Sequence, residues 1–122
     1  MTFKEINTML AGINVPTAYH HFAENTGQQP PFICFYYDGS RDAYADNSNY
    51  QKIERLIIEL YTDNKDFALE ATVESTLASN DLTWSREETY IDTERMYEVI
   101  YDVDVVITEE VIIPTEENNN NV

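Results

Sequence analysis

Residues 96–107 decide the fold, and they read Met96-Tyr97-Glu98-Val99-Ile100-Tyr101-Asp102-Val103-Asp104-Val105-Val106-Ile107. Side chains alternate between two faces along a β-strand. One face of this strand therefore carries Tyr97, Val99, Tyr101, Val103 and Val105. The opposite face carries Glu98, Asp102 and Asp104. Such a strand needs a cover on its apolar side only.

The residues before this strand predict its hairpin partner. Residues 82–91 form the first arm, and Asp92-Thr93-Glu94 has the polar chemistry of a turn. The sequence thus predicts a long hairpin over Leu82–Ile107. Because two strands alone are marginally stable in water, the rest of the chain must supply further strands and an apolar cover.

Two amphipathic segments predict the helices that form this cover. Thr2 and Glu5 have capping-box spacing, which predicts a helix over residues 2–12. A second helix is predicted over residues 65–79, capped by Asp63 or Asn64. Its apolar row is Leu69, Val73 and Leu77.

Two apolar stretches predict the remaining strands. Residues 32–37 form one strand, and residues 50–61 form an interior strand that we expect to be covered on both faces. Residues 15–22 are predicted to be extended, and an optional further strand lies near residues 40–46. The predicted fold is α+β, with an antiparallel sheet of four to five strands, two helices on one face, and the order α-β-β-α-β-β.

The length of 122 residues predicts one domain. We place this single α+β domain at residues 1–108. Residues 109–122, which are acidic and Asn-rich, are predicted to form a largely disordered C-terminal tail.

The charge of the chain restricts its partners. Seven Lys and Arg residues against 23 Asp and Glu residues give a net charge of −16. This charge argues against direct affinity for nucleic-acid phosphates and against binding to anionic membranes. It is compatible with a basic partner or with solubility alone. The sequence shows neither an apolar run long enough to span a membrane nor a signal-peptide core, so we expect a cytosolic protein.

No arrangement of residues in the sequence predicts catalysis. The acidic loop 38–49 fails as a calcium loop, because Ala43 stands where an EF-hand needs Gly and Asn49 where it needs Glu. His20 and His21 are adjacent, so an extended chain would point them apart and make them poor zinc ligands. We therefore predict no enzyme activity and no catalytic, cofactor-binding or metal-binding residues.

Two further groups of residues do not indicate catalysis either. A pair of Glu59 with Asp102 or Asp104 has no accompanying nucleophile, base and orienting group. Cys34, the single cysteine, lies in an apolar strand and is predicted to be a buried structural thiol; it cannot form an internal disulfide. An interaction protein is the class that remains.

Several segments, taken in order, resemble a family of small proteins from tailed phages and prophages of Gram-positive bacteria. The segments are Pro16-Thr17-Ala18-Tyr19-His20-His21-Phe22, Pro30-Pro31-Phe32-Ile33-Cys34-Phe35, Ile58-Glu59-Leu60-Tyr61-Thr62-Asp63-Asn64-Lys65-Asp66, Ala68-Leu69-Glu70-Ala71 and Tyr97-Glu98-Val99-Ile100-Tyr101. The family belongs to the head-tail joining proteins and is similar to the tail terminator (tail completion) group. The resemblance covers about residues 1–107.

The resemblance implies a structural virion protein of the neck and tail, present in the host cytoplasm during assembly. It implies a ring of identical subunits, commonly a hexamer, that caps the tail tube, contacts the major tail tube protein and the head connector, and lets DNA pass. Glu98, Asp102 and Asp104 would then repel DNA from the ring lumen, or would simply be solvated. Tyr44 and Tyr50, in or beside the loop 38–49, are predicted interface residues, and the loop 23–31 is a further contact candidate.

A second function from a different class stays open. The charge of −16 also suits a small acidic binding module that mimics DNA and inhibits a basic host protein.

Overall fold

The structure is a computed structural model that describes residues 1–22, 27–44 and 50–108, with the backbone alone described at residues 43, 44, 50 and 51. Within this part the elements are α1 (Phe3–Ala11), β1 (Thr17–Tyr19), β2 (Phe32–Ser40), β3 (Ala43–Tyr44), β4 (Tyr50–Gln51), β5 (Ile53–Thr62), α2 (Phe67–Ser79), β6 (Trp84–Ile91) and β7 (Met96–Val106). The predicted tail, residues 109–122, lies outside the described residues, and the division of the chain into domain and tail stays a prediction.

The predicted hairpin is confirmed. β6 and β7 pair antiparallel in a register that runs from Ile91 opposite Met96 to Trp84 opposite Val103. The turn between them closes with Arg95 at a φ of 53°, in the left-handed region. Alternation along β7 is also as predicted, since its four central apolar side chains are fully buried: Val99, Tyr101, Val103 and Val105.

The main sheet has five strands in the order β1-β2-β5-β7-β6. The number of strands agrees with the prediction, but the expectation of a purely antiparallel sheet was wrong. β1 runs parallel to β2, with Thr17 opposite Ile33 and Tyr19 opposite Phe35. Parallel strands need a long connection, and residues 20–31 lie between β1 and β2.

The predicted order of elements also needs correction. Besides β1, residues 43–44 and 50–51 form a separate two-stranded sheet, so five strands precede α2 instead of two. β1 lies within the predicted extended segment 15–22 and β3 within the optional strand near residues 40–46, whereas residues 50–51 were predicted to belong to the same strand as β5. Strands of two or three residues are too short to show a readable alternation, so the sequence did not predict their pairing.

Both helices cover the same face of the sheet, as predicted. Ile6 and Leu10 of α1 and Val73 and Leu77 of α2 belong to one buried cluster with the inward side chains of the strands. The capping box is present, because the Glu5 amide donates to Thr2 Oγ1 at 3.0 Å and the Thr2 amide donates to Glu5 Oε1 at 2.8 Å.

The predicted cap of α2 was wrong. Asp66 accepts a hydrogen bond from the Leu69 amide at 2.9 Å, and neither Asp63 nor Asn64 caps the helix. Lys65 and Asp66 therefore precede the first helical residue, Phe67.

The expectation that β5 is covered on both faces also needs correction. In the described part of the chain both helices lie on one face of this central strand. Ile57, which points to the other face, is buried nonetheless, at 4% exposure. It lies in register between Tyr36 of β2 and Asp102 of β7, so neighbouring strands bury it.

Candidate functional site on the helix-free face

The face of the sheet opposite the helices carries the predicted acidic residues, and we call it the open face. Alternation and register place Glu98, Asp102 and Asp104 of β7 on it, beside outward side chains of neighbouring strands. These neighbours are Phe32, Cys34, Tyr36 and Asp38 of β2, Arg55, Ile57, Glu59 and Tyr61 of β5, and Ser85, Glu87 and Thr89 of β6.

Arginines neutralise two of the three predicted acidic residues. Arg55 binds Asp102 through Nε and Nη2, the shorter contact being 2.7 Å, and its Nη1 lies 2.7 Å from Asp38 Oδ2. Arg41 Nη1 lies 2.9 Å from Asp104 Oδ1. The hydrogen bond from Arg55, strengthened by its charge, holds the pKa of Asp102 below its usual range. This end of the open face is therefore a paired ion cluster, and its assignment to a ring lumen stays a prediction.

Replacing Arg55 with methionine should lower the stability of the fold in a pH-dependent way. The depressed pKa of Asp102 means that its stabilising contribution is present above the unfolded pKa of about 3.9 and is lost as pH falls through the lower folded value. The urea midpoint of Arg55→Met should therefore lie below the wild-type value at pH 7, and the difference should shrink below about pH 4.

Arg41→Met is the comparison variant, because Arg41 is half exposed, binds Asp104 at 2.9 Å and reaches Asp102 only at 3.9 Å. Exposed ion pairs contribute little to stability, so this variant should change the midpoint only slightly at either pH. A midpoint difference for Arg55→Met that is the same at pH 3 and pH 7 would contradict the assigned role of the Arg55–Asp102 pair.

The other end of the open face holds two carboxylates that share one tyrosine. The hydroxyl of Tyr61 lies 3.1 Å from Glu59 Oε1 and 3.0 Å from Glu98 Oε2. Among the described residues no Lys, Arg or His forms an ion pair with Glu59 or Glu98. Burial raises the pKa of Glu59; the hydrogen bond from Tyr61 opposes this rise, and the charge of Glu98 adds to it.

Two side chains beside this carboxylate pair also have raised pKa values. Burial, followed by the charges of Glu59 and Glu98, raises the pKa of the Tyr61 hydroxyl. The same causes, in the same order, raise the pKa of the Cys34 thiol. Cys34 is 6% exposed, so the prediction of a buried cysteine is confirmed. Such a thiol carries little thiolate and is a poor nucleophile.

A shallow cleft of about 410 Å³ adjoins Tyr61 at the edge of the open face. Phe32 stacks on Tyr61 with ring centroids 4.8 Å apart, and Phe22 meets Phe32 edge-on at 5.4 Å. His20 and His21 border the same cleft.

The two histidines do not point apart as the sequence suggested. Their ring centroids lie 5.2 Å apart, because His20 has a φ of 70° and the chain is not extended there. Within residues 1–22, 27–44 and 50–108, however, no group of three or more His, Cys, Asp or Glu side chains is arranged to hold a metal ion.

The predicted interface tyrosines lie in the small second sheet. The backbones of Tyr44 and Tyr50 are paired across β3 and β4, while their side chains lie outside the described part. The predicted contact loops 23–31 and 38–49 are described only in part. Glu59 does not approach Asp102 or Asp104 in an ion cluster; its hydrogen-bonding partner is Tyr61.

The structure also contains an ion network that the sequence did not predict, on the helix-covered side. Glu70 of α2 is 2% exposed and binds Lys65, which also binds Glu88 of β6. Arg86 Nη1 lies 2.8 Å from Glu74 Oε2, to which the Tyr101 hydroxyl donates at 3.0 Å. This network ties α2 to the hairpin. The one signal in the sequence was that Glu70 and Glu74 interrupt the apolar pattern of the helix.

The described surfaces offer apolar contacts, aromatic contacts and ion pairs. In the described residues neither helix is long and apolar enough to cross a membrane. The absence of enzyme activity stays a prediction.

Comparison with solved structures shows a likeness of fold. The chain resembles a chain in a solved structure described as the virion of a native gene transfer agent (GTA) particle, with a TM-score of 0.52. The match covers 80% of this chain and 83% of that chain, at 12% sequence identity. The two chains share a fold. No family model matches the sequence, and no curated protein matches it.

Proposed function

We propose that this chain is a structural protein of a phage-like virion and, more specifically, a tail terminator that forms a ring on the tail tube. The observation that carries the proposal is the fold shared with a protein of a gene transfer agent virion over 80% of the chain. The order of segments that resembles the tail terminator group supports the finer assignment. In this role the partners are further copies of the chain, the major tail tube protein and the head connector.

The edges of the main sheet support a ring. A ring of identical subunits needs two different surfaces on each copy, because its contacts are head-to-tail. The sheet ends at β1 on one side and at β6 on the other, and no described strand pairs with the outer edge of either. Unpaired strand edges are ready sites for pairing with another chain.

Exposed aromatic side chains lie at both edges. Tyr19, in β1, is 54% exposed. At the β6 side Tyr90 is 47% and Phe67 73% exposed, and Phe67 lies under Lys65, which binds Glu88 of β6. Aromatic residues are enriched in protein interfaces. We therefore assign the β6 edge of one subunit and the β1 edge of the next to the subunit contact.

The proposal is tested by the mass of the purified chain and by its binding to tail tubes. Light scattering at increasing concentration, or after addition of tubes assembled without a terminator, should give a particle several times the 14.2 kDa of the monomer. Electron microscopy should show this particle on one end of each tube. A chain that stays at monomer mass at all concentrations and never binds tube ends would overturn the proposal.

A further inference from the structure

The contacts of Tyr61 contain too few protons for two ionised carboxylates. A tyrosine hydroxyl has one proton and can donate it to one acceptor, and an ionised carboxylate can only accept. Yet the Tyr61 oxygen lies within hydrogen-bond distance of both Glu59 and Glu98. If both were ionised, one of the two contacts would place the Tyr61 oxygen against a carboxylate oxygen with no proton between them. Both contacts are favourable only when one carboxyl is protonated and donates to the Tyr61 oxygen.

The position of Glu59 and Glu98 on the sheet also favours one protonated carboxyl group in the pair. Tyr61 and Glu98 are directly opposite each other on β5 and β7, and Glu59 is two residues before Tyr61 on the same face. The sheet backbone therefore holds the two carboxyls close together. Two carboxylates that share a site cannot both ionise at their ordinary pH, and the proton that remains belongs to the pair.

In the described part of the chain, the charged neighbours of the pair do not supply a compensating cation. The nearest arginine along β5, Arg55, is bound to Asp102 and Asp38. The acids on the surrounding elements are Glu87 of β6, Asp102 of β7 and Glu94 of the turn, and they add negative charge. From β2 the pair is faced by Cys34 and Tyr36, and across the cleft by His20 and His21.

We propose that Glu59, Tyr61 and Glu98 form a proton-holding site that keeps one carboxyl protonated at pH values where ordinary glutamates are ionised. As pH rises, the site releases this proton, the open face gains a negative charge, and one of the two hydrogen bonds made by the Tyr61 hydroxyl group is lost. The charge and the hydrogen bonding at this end of the open face therefore depend on pH. The inference does not depend on the proposed function, because it concerns the chain in any assembly state.

The direction of the effect on stability follows from proton linkage. The raised pKa of Glu59 means that the folded state binds more protons than the unfolded state. The stabilisation is therefore full below the unfolded pKa of about 4.3 and is lost as pH rises through the folded value. The ion cluster of Asp102 behaves in the opposite way, so the two ends of the open face respond to pH with opposite signs.

The test is a titration of the glutamate side-chain carboxyls by carbon-13 nuclear magnetic resonance. The wild type should show a glutamate whose midpoint lies above those of the exposed glutamates. In Glu98→Gln this midpoint should fall, because the charge of Glu98 is gone and the amide can donate to the Tyr61 oxygen without a bound proton; the part of the rise that is due to burial remains. In Glu59→Gln no glutamate should show the high midpoint.

Glu87→Gln is the matched control, since Glu87 is an exposed glutamate on the same face and two strands from Glu59. The high midpoint should survive in this variant. If Glu59 and Glu98 both titrate with the exposed glutamates in the wild type, the proposal is overturned. A high midpoint that persists unchanged in both Glu98→Gln and Glu59→Gln would equally overturn it. The wild-type titration decides the matter even if a variant fails to fold.

Discussion

Replacing Lys65 with methionine is expected to lower the free energy of unfolding by about 3 kcal/mol, because it leaves a buried carboxylate without its main cation. The side chain of Glu70 is 3% exposed, and that of Lys65 is 21% exposed. After the substitution the remaining cation is Arg86, whose Nη1 lies 3.5 Å from Glu70 Oε1, an oxygen that has no hydrogen bond in the described structure. The methionine preserves most of the aliphatic packing, so the loss is electrostatic.

Two further variants distinguish the cost of leaving a buried charge unpaired from the cost of losing an exposed ion pair. Lys52→Met removes a lysine that is 43% exposed and pairs with Glu54, and it should cost at most about 1 kcal/mol. The double variant Lys65→Met/Glu70→Leu removes both buried charges and should recover most of the lost stability. Urea denaturation at pH 7 measures all three. A Lys65→Met variant within about 1 kcal/mol of the wild type would show that Glu70 does not depend on Lys65.

The sequence could not predict this network because its members come from three separate segments. Periodicity identified the row Leu69, Val73 and Leu77, of which Val73 and Leu77 are fully buried. The same periodicity places Glu70 beside that row, where we would expect a helix that covers a wide sheet to expose it. The helix instead lies along the β6 edge, and the flank with Glu70 faces Lys65 and Arg86.

The elements predicted well were those with long local patterns. β7 has eleven residues with clear alternation, and the capping box at Thr2 needs only its own first turn. β1 has three residues, and Thr17 pairs with Ile33 of β2, 16 positions later. Such a pairing is set by the packing of the whole sheet, which no short stretch of sequence encodes.

The same distinction holds for the candidate site. Alternation correctly placed Glu98, Asp102 and Asp104 on one face, since this requires β7 alone. The pairing of Asp102 with Arg55 and of Glu98 with Tyr61 requires the register between β5 and β7. Without the register, the face appeared uniformly acidic; with it, one end is an ion cluster and the other is a carboxyl pair.

Replacing Phe67 with aspartate is expected to weaken subunit association by at least about 30-fold, the effect of losing a central aromatic contact of about 2 kcal/mol. Phe67 is the first residue of α2 and is 73% exposed, so the fold should tolerate the change. A carboxylate in the first turn of a helix is favourable, and Lys65 lies beside it. Val106→Asp is the matched control, because Val106 is an exposed apolar residue at the opposite end of the sheet.

A mixing experiment then distinguishes a head-to-tail ring from a two-fold symmetric dimer. Tyr19→Asp blocks the β1 edge, and Phe67→Asp blocks the β6 side. Each variant alone should be a monomer, since every head-to-tail contact needs both surfaces. A mixture of the two should form a heterodimer that cannot grow, because one intact contact joins the free β6 side of one chain to the free β1 edge of the other. Mass measurement by light scattering reads this directly. Rings from either variant alone, or a mixture that stays monomeric while the wild type forms rings, would exclude these two edges as the subunit contact.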